Sequence, residues 1–118
     1  MVVRNVEIIR PSGSTSKGCL IETRDAANIE TLFINNICMN GMNSLLHHKG
    51  KEIGTAQLCN ILGSNIGEAL IQVEDATIET INAGEIFGAK LLKSSGNSKI
   101  GRVSGNFEKP DTTDAPKL

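Results

Sequence analysis

Three glutamates and two histidines are the residues of this chain best suited to acid–base chemistry. When its self-similar segments are aligned, Glu30 and Glu79 fall in one outward-facing column with Gly54 between them, and Glu52 lies diagonally beside the gap. Positions two coils apart in such a column are separated by about 9 to 10 Å, because adjacent strands are spaced ~4.8 Å apart. Inverting glycoside hydrolysis uses two carboxyl groups ~6.5–9.5 Å apart, one protonated and one ionised. Glu30, Glu52 and Glu79 are therefore the catalytic candidates. Against them, carboxylates on an open strand face perturb one another weakly in high dielectric. The chain also offers few aromatic rings to stack a sugar, only Phe33, Phe87 and Phe107. A solvated acidic row, with no hydrolysis by this chain alone, is the expectation.

The neighbours His47 and His48 must face opposite ways in a strand. His48 shares an inner column with Thr23 and Val73, where a hydrogen-bonded core histidine is expected. His47 becomes a general acid or base only with a carboxylate such as Glu22 beside it. The outward column Glu22, His47, Gln72 and Lys93, with Arg24, Lys49, Glu74 and Ser95 two residues on, repeats donors and acceptors at the interstrand spacing. Such a ladder suits sugar hydroxyls, which makes Glu22, His47, Gln72, Lys49 and Glu74 the substrate-binding candidates, although a merely solvated face has the same composition. Cys19, Cys38 and Cys59 are odd in number and contain no C-x-x-C pair, so they read as reduced, small core residues. No nucleophile elbow, phosphate loop or metal-ligand cluster is present, and neither a cofactor nor a metal is expected.

The elements that position these residues follow from a repeat. Glycine and asparagine recur too often for any long helix, and the chain reads as short strands. Leucines at 20, 45, 70 and 91 open one set of segments, separated by 25, 25 and 21 positions. Isoleucines at 29, 53, 78 and 100 mark a second set, followed by threonines at 31, 55 and 80. A third set pairs Asn36-Ile37, Asn60-Ile61 and Asn82-Ala83, with Asn5-Val6 and Ser104-Gly105 as degenerate members. Three columns sharing one period predict an all-β fold: a right-handed parallel β-helix of about four coils with three short strands per coil. Asparagines at 36, 60 and 82 are expected at one bend, where the side chain tolerates a left-handed backbone. Asp25, Gly50, Asp75 and Gly96 are expected at another. A leucine-rich repeat would use one strand and a long return per period, and a helix over Ala56 to Ile71 would be weakened by Gly63 and Gly67.

Length and charge narrow the partners. With 118 residues and a net charge of -1, the chain holds one core, expected over residues 1–107, with a polar, proline-containing tail over 108–118. It has no basic field for a phosphate backbone, and no apolar run near the ~20 residues that cross a bilayer. Neither nucleic acid nor a membrane is an expected partner, and no secretion signal is legible at the start.

The cadence from Asn65 through Ile78, and its echo from Ile86 to Ile100, resembles the degenerate repeats of right-handed parallel β-helix proteins, a group that includes pectate lyases, carbohydrate-binding solenoids and bacteriophage tailspikes. The likeness covers roughly residues 18 to 106 and is closest in character to a tailspike or neck-appendage segment. It implies a structural, carbohydrate-engaging segment of a phage appendage, located in the virion, homotrimeric, and facing a bacterial surface polysaccharide. The alternatives are a polysaccharide-degrading hydrolase or lyase of the same fold, secreted or at the cell surface, and a purely structural repeat module. In a side-by-side trimer, Leu20, Leu45, Leu70 and Leu91 would be the contact stripe if they face outward; as bend residues they would face the core.

Overall fold

The computed structural model describes residues 1–8, 18–24 and 28–107; the expected tail over 108–118 and the bend residue Asp25 lie outside the described residues. Within them, the punctuated sequence forms nine strands and no helix. They are β1 (Val2–Ile8), β2 (Cys19–Thr23), β3 (Asn28–Asn40), β4 (Ser44–His48), β5 (Glu52–Ser64), β6 (Ile71–Glu74), β7 (Thr77–Phe87), β8 (Leu92–Ser95) and β9 (Lys99–Phe107). Odd-numbered strands make a five-stranded sheet in the order β1-β3-β5-β7-β9, and even-numbered strands make a four-stranded sheet in the order β2-β4-β6-β8. Every pairing is parallel. The chain is thus a parallel β-solenoid, alternating between two sheets and advancing one strand spacing per turn.

Two features of the expected winding need correction. The path from β2 through β4 and β6 to β8 closes about three turns, not four. Each turn carries two strands rather than three, because the second and third expected segments fuse into one long strand. Asn36 and Asn60 sit inside β3 and β5 with φ of 59° and 58°. A single left-handed residue turns the strand while pairing continues on both sides, from Asn35↔Cys59 to Ile37↔Ile61. The corner is real, but it does not end the strand.

The column at that corner also differs at one member. Asn5, with φ of 58°, stands in register with Asn36 and Asn60, and their amides form a chain: Asn36 Nδ2 donates to Asn5 Oδ1 at 2.7 Å, and Asn60 Nδ2 donates to Asn36 Oδ1 at 3.0 Å. Asn82 does not continue it, because it pairs with Gln57 three residues before the corner; Glu85, with φ of 56°, takes the corner instead. The second bend is as expected, with Asp75 and Gly96 at φ of 49° and 68° and Asp75 Oδ1 accepting from Asn97 N at 2.7 Å.

Strand alternation sends every second side chain into one core. Ile53, Ile78 and Ile100 are fully buried and stacked in register above the half-buried Ile29. The threonines at 31, 55 and 80 stack as expected. Leu45, Leu70 and Leu91 are 0%, 0% and 3% exposed, and Leu20 is half-buried, while the next residues Leu46, Ile71 and Leu92 are also fully buried. Two successive inward side chains require a corner. This column is therefore core, and the reading of it as an outward contact stripe is corrected: a side chain with no exposed surface has none to offer a neighbouring subunit.

Candidate functional site

The sheet that holds the polar ladder is built from the shorter strands. Register places Glu22 beside His47, His47 beside Gln72, and Gln72 beside Lys93, with inward neighbours Ile21, Leu46, Ile71 and Leu92 anchoring each rung. The five substrate-binding candidates are thus brought onto one face, Lys49 and Glu74 lying one alternation further along. Much of the face's hydrogen-bonding capacity is spent within the face. Arg24 Nε donates to Glu22 Oε1 at 2.5 Å, and this bond holds the Glu22 carboxyl below the usual carboxylate range. His47 Nε2 meets Glu74 Oε1 at 3.3 Å across the sheet. Lys93 Nζ pairs with Glu68 and lowers that carboxyl likewise. The buried Ser44 hydroxyl donates to Gln72 Oε1 at 3.1 Å. Cys19 lies at the edge of the ladder, its thiol pushed up by burial and then by the Glu22 charge.

His48, on the other side of the same strand, is fully buried. Its Nε2 donates to the Thr77 carbonyl at 3.0 Å, and its Nδ1 accepts from the Thr23 hydroxyl at 2.6 Å. That hydroxyl in turn accepts from the Lys49 and Gly50 amides, each at 3.1 Å. Every polar atom of the imidazole is satisfied in its neutral form, and burial drives its pKa below the ordinary histidine value. His48 is a structural histidine, as its column implied.

The acidic candidates are placed as the repeat suggested but gain nothing from their surroundings. Ile29↔Ile53↔Ile78 and Thr31↔Thr55↔Thr80 bracket Glu30, Gly54 and Glu79 into one column. Glu30, Glu52 and Glu79 are exposed, and none has an ion-pair partner among the described residues. Gly54 is small for a steric reason: a Cβ there would lie 2.7 Å from the Glu30 carbonyl oxygen. The gap between the acids is a close backbone approach. Neither the parent chain nor its Glu30→Gln or Glu79→Gln variant is expected to release reducing sugar from a polysaccharide, and any glycan binding the parent shows is expected to change less than about twofold, under half a kcal/mol. Turnover abolished by either substitution would restore the pair as catalysts.

Among the described residues, no group of three or more His, Cys, Asp or Glu side chains is placed to hold a metal ion. The five-stranded sheet carries what the sequence reading missed, a shallow depression of about 330 Å³ over β5, β7 and β9. Its signal was faint because the residues stacked there differ in type from coil to coil. No family model, curated protein or solved structure matches this chain.

Proposed function

We propose that this chain is a non-enzymatic, right-handed solenoid segment of a phage-tailspike-like surface appendage, whose four-stranded sheet meets a bacterial surface polysaccharide. One observation carries the reading: Glu22, His47, Gln72 and Lys93 stand in strict register on a single face. A polymer of repeating hydroxyls finds there a row of polar groups at ~4.8 Å steps. Right-handed winding is supported by the strong preference of connections between parallel strands of one sheet, about 98% right-handed, since β3, β5 and β7 are joined through strands of the other sheet. The homotrimer and the virion location implied by the resemblance belong to the same reading, with subunit contacts on residues other than the buried leucine column.

A glycan array of bacterial capsular and lipopolysaccharide fragments tests it. The parent chain is expected to retain at least one acidic or neutral polysaccharide, and His47→Ala or Lys93→Ala, both at half-buried positions, to weaken that binding at least tenfold, about 1.4 kcal/mol, without loss of strand signal. Retention of no glycan would favour the purely structural module. Release of reducing ends from a retained glycan would favour the polysaccharide-degrading enzyme.

A further inference from the structure

The depression on the five-stranded sheet has a composition of its own. Register stacks Phe33, Gln57, Asn82 and Ser104 in a single column across β3, β5, β7 and β9. Their inward neighbours Ile34, Leu58 and Ala83 are buried, which turns the column outward. Phe33 is 43% exposed at one end. The Ser104 hydroxyl donates to Asn82 Oδ1 at 2.7 Å, which aligns the two and leaves the Asn82 amide nitrogen without a partner among the described residues. The Gln57 side-chain amide likewise has no hydrogen-bond partner among the described residues. Gln57, Asn82 and Ser104 line the depression together with Cys59, the inward Leu58 and Ala83 and two glycines, and among the described residues no acidic, basic or histidine side chain lines it. Its floor is open over Gly84, where an added Cβ would meet nothing within 4 Å among the described residues.

We infer that this column is a second binding site, for a short neutral oligosaccharide lying along the solenoid axis with a sugar face on Phe33 and its hydroxyls on Gln57, Asn82 and Ser104. Amides and hydroxyls offer donors and acceptors together, which matches hydroxyl groups that must both give and accept. An anionic ligand would meet no cation among the described side chains that line the depression. The apolar C–H face of a pyranose is suited to an exposed aromatic ring, and Phe33 stands one strand spacing, ~4.8 Å, from Gln57. The volume falls at the lower end of the ~300–1,000 Å³ typical of small-molecule sites, consistent with a few sugar units rather than a polymer. The site is independent of the four-stranded face and shares no residue with it.

Gly84 makes the site testable from its floor. Its backbone is not left-handed and none of the described residues other than its chain neighbours lies within 4 Å of its Cβ position, so valine, a good strand residue, fills the depression from its floor. Amide chemical-shift titration of the isotopically labelled chain with maltohexaose and cellohexaose, each to about 10 mM, is expected to perturb Gln57, Asn82, Gly84 and Ser104 with one or both sugars, at millimolar affinity. Hexagalacturonate of the same length is expected to bind this column at least tenfold more weakly. Gly84→Val is expected to abolish the perturbations and His47→Ala to leave them unchanged. Gln57→Ala, which removes a half-exposed amide and no core contact, is expected to weaken binding at least tenfold and decides the matter should Gly84→Val fail to fold. Absence of perturbation in this column with both neutral sugars, equal binding of the uronate, or unchanged binding by Gln57→Ala would overturn the assignment. Perturbations confined to His47, Gln72 and Lys93 would overturn it too, while leaving the four-stranded face as a glycan site.

Discussion

Leu70→Glu is expected to unfold this chain, and Leu45→Glu to do the same. Both leucines have no exposed surface and sit at a corner beside the fully buried Leu46 and Ile71. The backbone there is already committed: the Leu45 and Leu46 amides both donate to the Leu70 carbonyl, at 3.0 and 2.8 Å, and the Leu70 amide donates to the Lys90 carbonyl at 2.9 Å. A carboxylate at either position has no lysine or arginine beside it in the core among the described residues, and burying an uncompensated ion costs several kcal/mol even after relaxation. Total stabilities of ~5–15 kcal/mol leave little to absorb that loss together with the missing apolar contacts. The milder Leu70→Ala is expected to cost ~2–5 kcal/mol, as truncation of a fully buried aliphatic does, and Ile53→Ala or Ile78→Ala a similar amount. Far-ultraviolet circular dichroism and urea denaturation read both effects. A glutamate variant that keeps its strand signal and only changes its sedimentation would show that the column is a contact surface after all.

That column shows where sequence reasoning stops. The spacing of 25, 25 and 21 positions located the leucines correctly, since a solenoid stacks equivalent residues whatever their role. Spacing alone does not say whether two adjacent apolar residues are a strand pair, one in and one out, or a corner pair, both in. The decision lies in the turn, and the turn residues before Leu45 and Leu70 are unalike, Met42-Asn43-Ser44 in one coil and Gly67-Glu68-Ala69 in the next. The Asn82 misplacement has a similar origin. Asparagine is the signature of the left-handed corner at 5, 36 and 60, so a further asparagine reads as the same corner. The third turn instead puts Glu85 at that corner, and the match in residue type outweighed a three-residue slip in register. Spacing overcounts the strands because one left-handed residue bends a strand without interrupting its ladder.

The candidate sites divide along the same line. His48 was legible as a core residue because alternation fixes its direction and its column mates Thr23 and Val73 are small or apolar. The rungs Glu22, His47, Gln72 and Lys93 were legible as one face for the same reason. What no spacing rule reveals is how completely neighbours satisfy one another: the pairings Arg24–Glu22, His47–Glu74 and Lys93–Glu68 depend on side-chain reach across strands. The depression beside Gly84 escaped notice because its column holds a phenylalanine, a glutamine, an asparagine and a serine, four residue types whose common property is outward direction.

The buried imidazole makes the stability of the fold depend on pH. His48 is held neutral by burial, so its pKa in the folded chain lies below the ordinary value near 6.5. Above that value the group is neutral in both folded and unfolded chains and contributes no pH dependence. As pH falls through it, the unfolded chain takes up a proton that the folded chain refuses, and unfolding gains. Stability conferred by neutral His48 is therefore full above about pH 6.5 and is lost as pH falls toward the lowered folded-state pKa, by at most about 1.4 kcal/mol per pH unit. Urea midpoints measured at pH 7.5, 6.5, 5.5 and 5.0 are expected to fall across the last three, and the difference from His48→Leu isolates this group from the exposed carboxylates and from His47. The Thr23 hydroxyl is the other half of the device. Thr23→Val keeps the shape but strips the partner from His48 Nδ1 and from the Gly50 amide, a cost of about 1–3 kcal/mol for each buried group left unpaired. The Lys49 amide keeps its bond to the Thr23 carbonyl at 3.1 Å, so the loss is expected at two groups and not three. A Thr23→Val chain as stable as the parent, or a parent chain whose His48-dependent stability is flat from pH 7.5 to 5.0, would show that the imidazole is solvated rather than locked between Thr23 and Thr77.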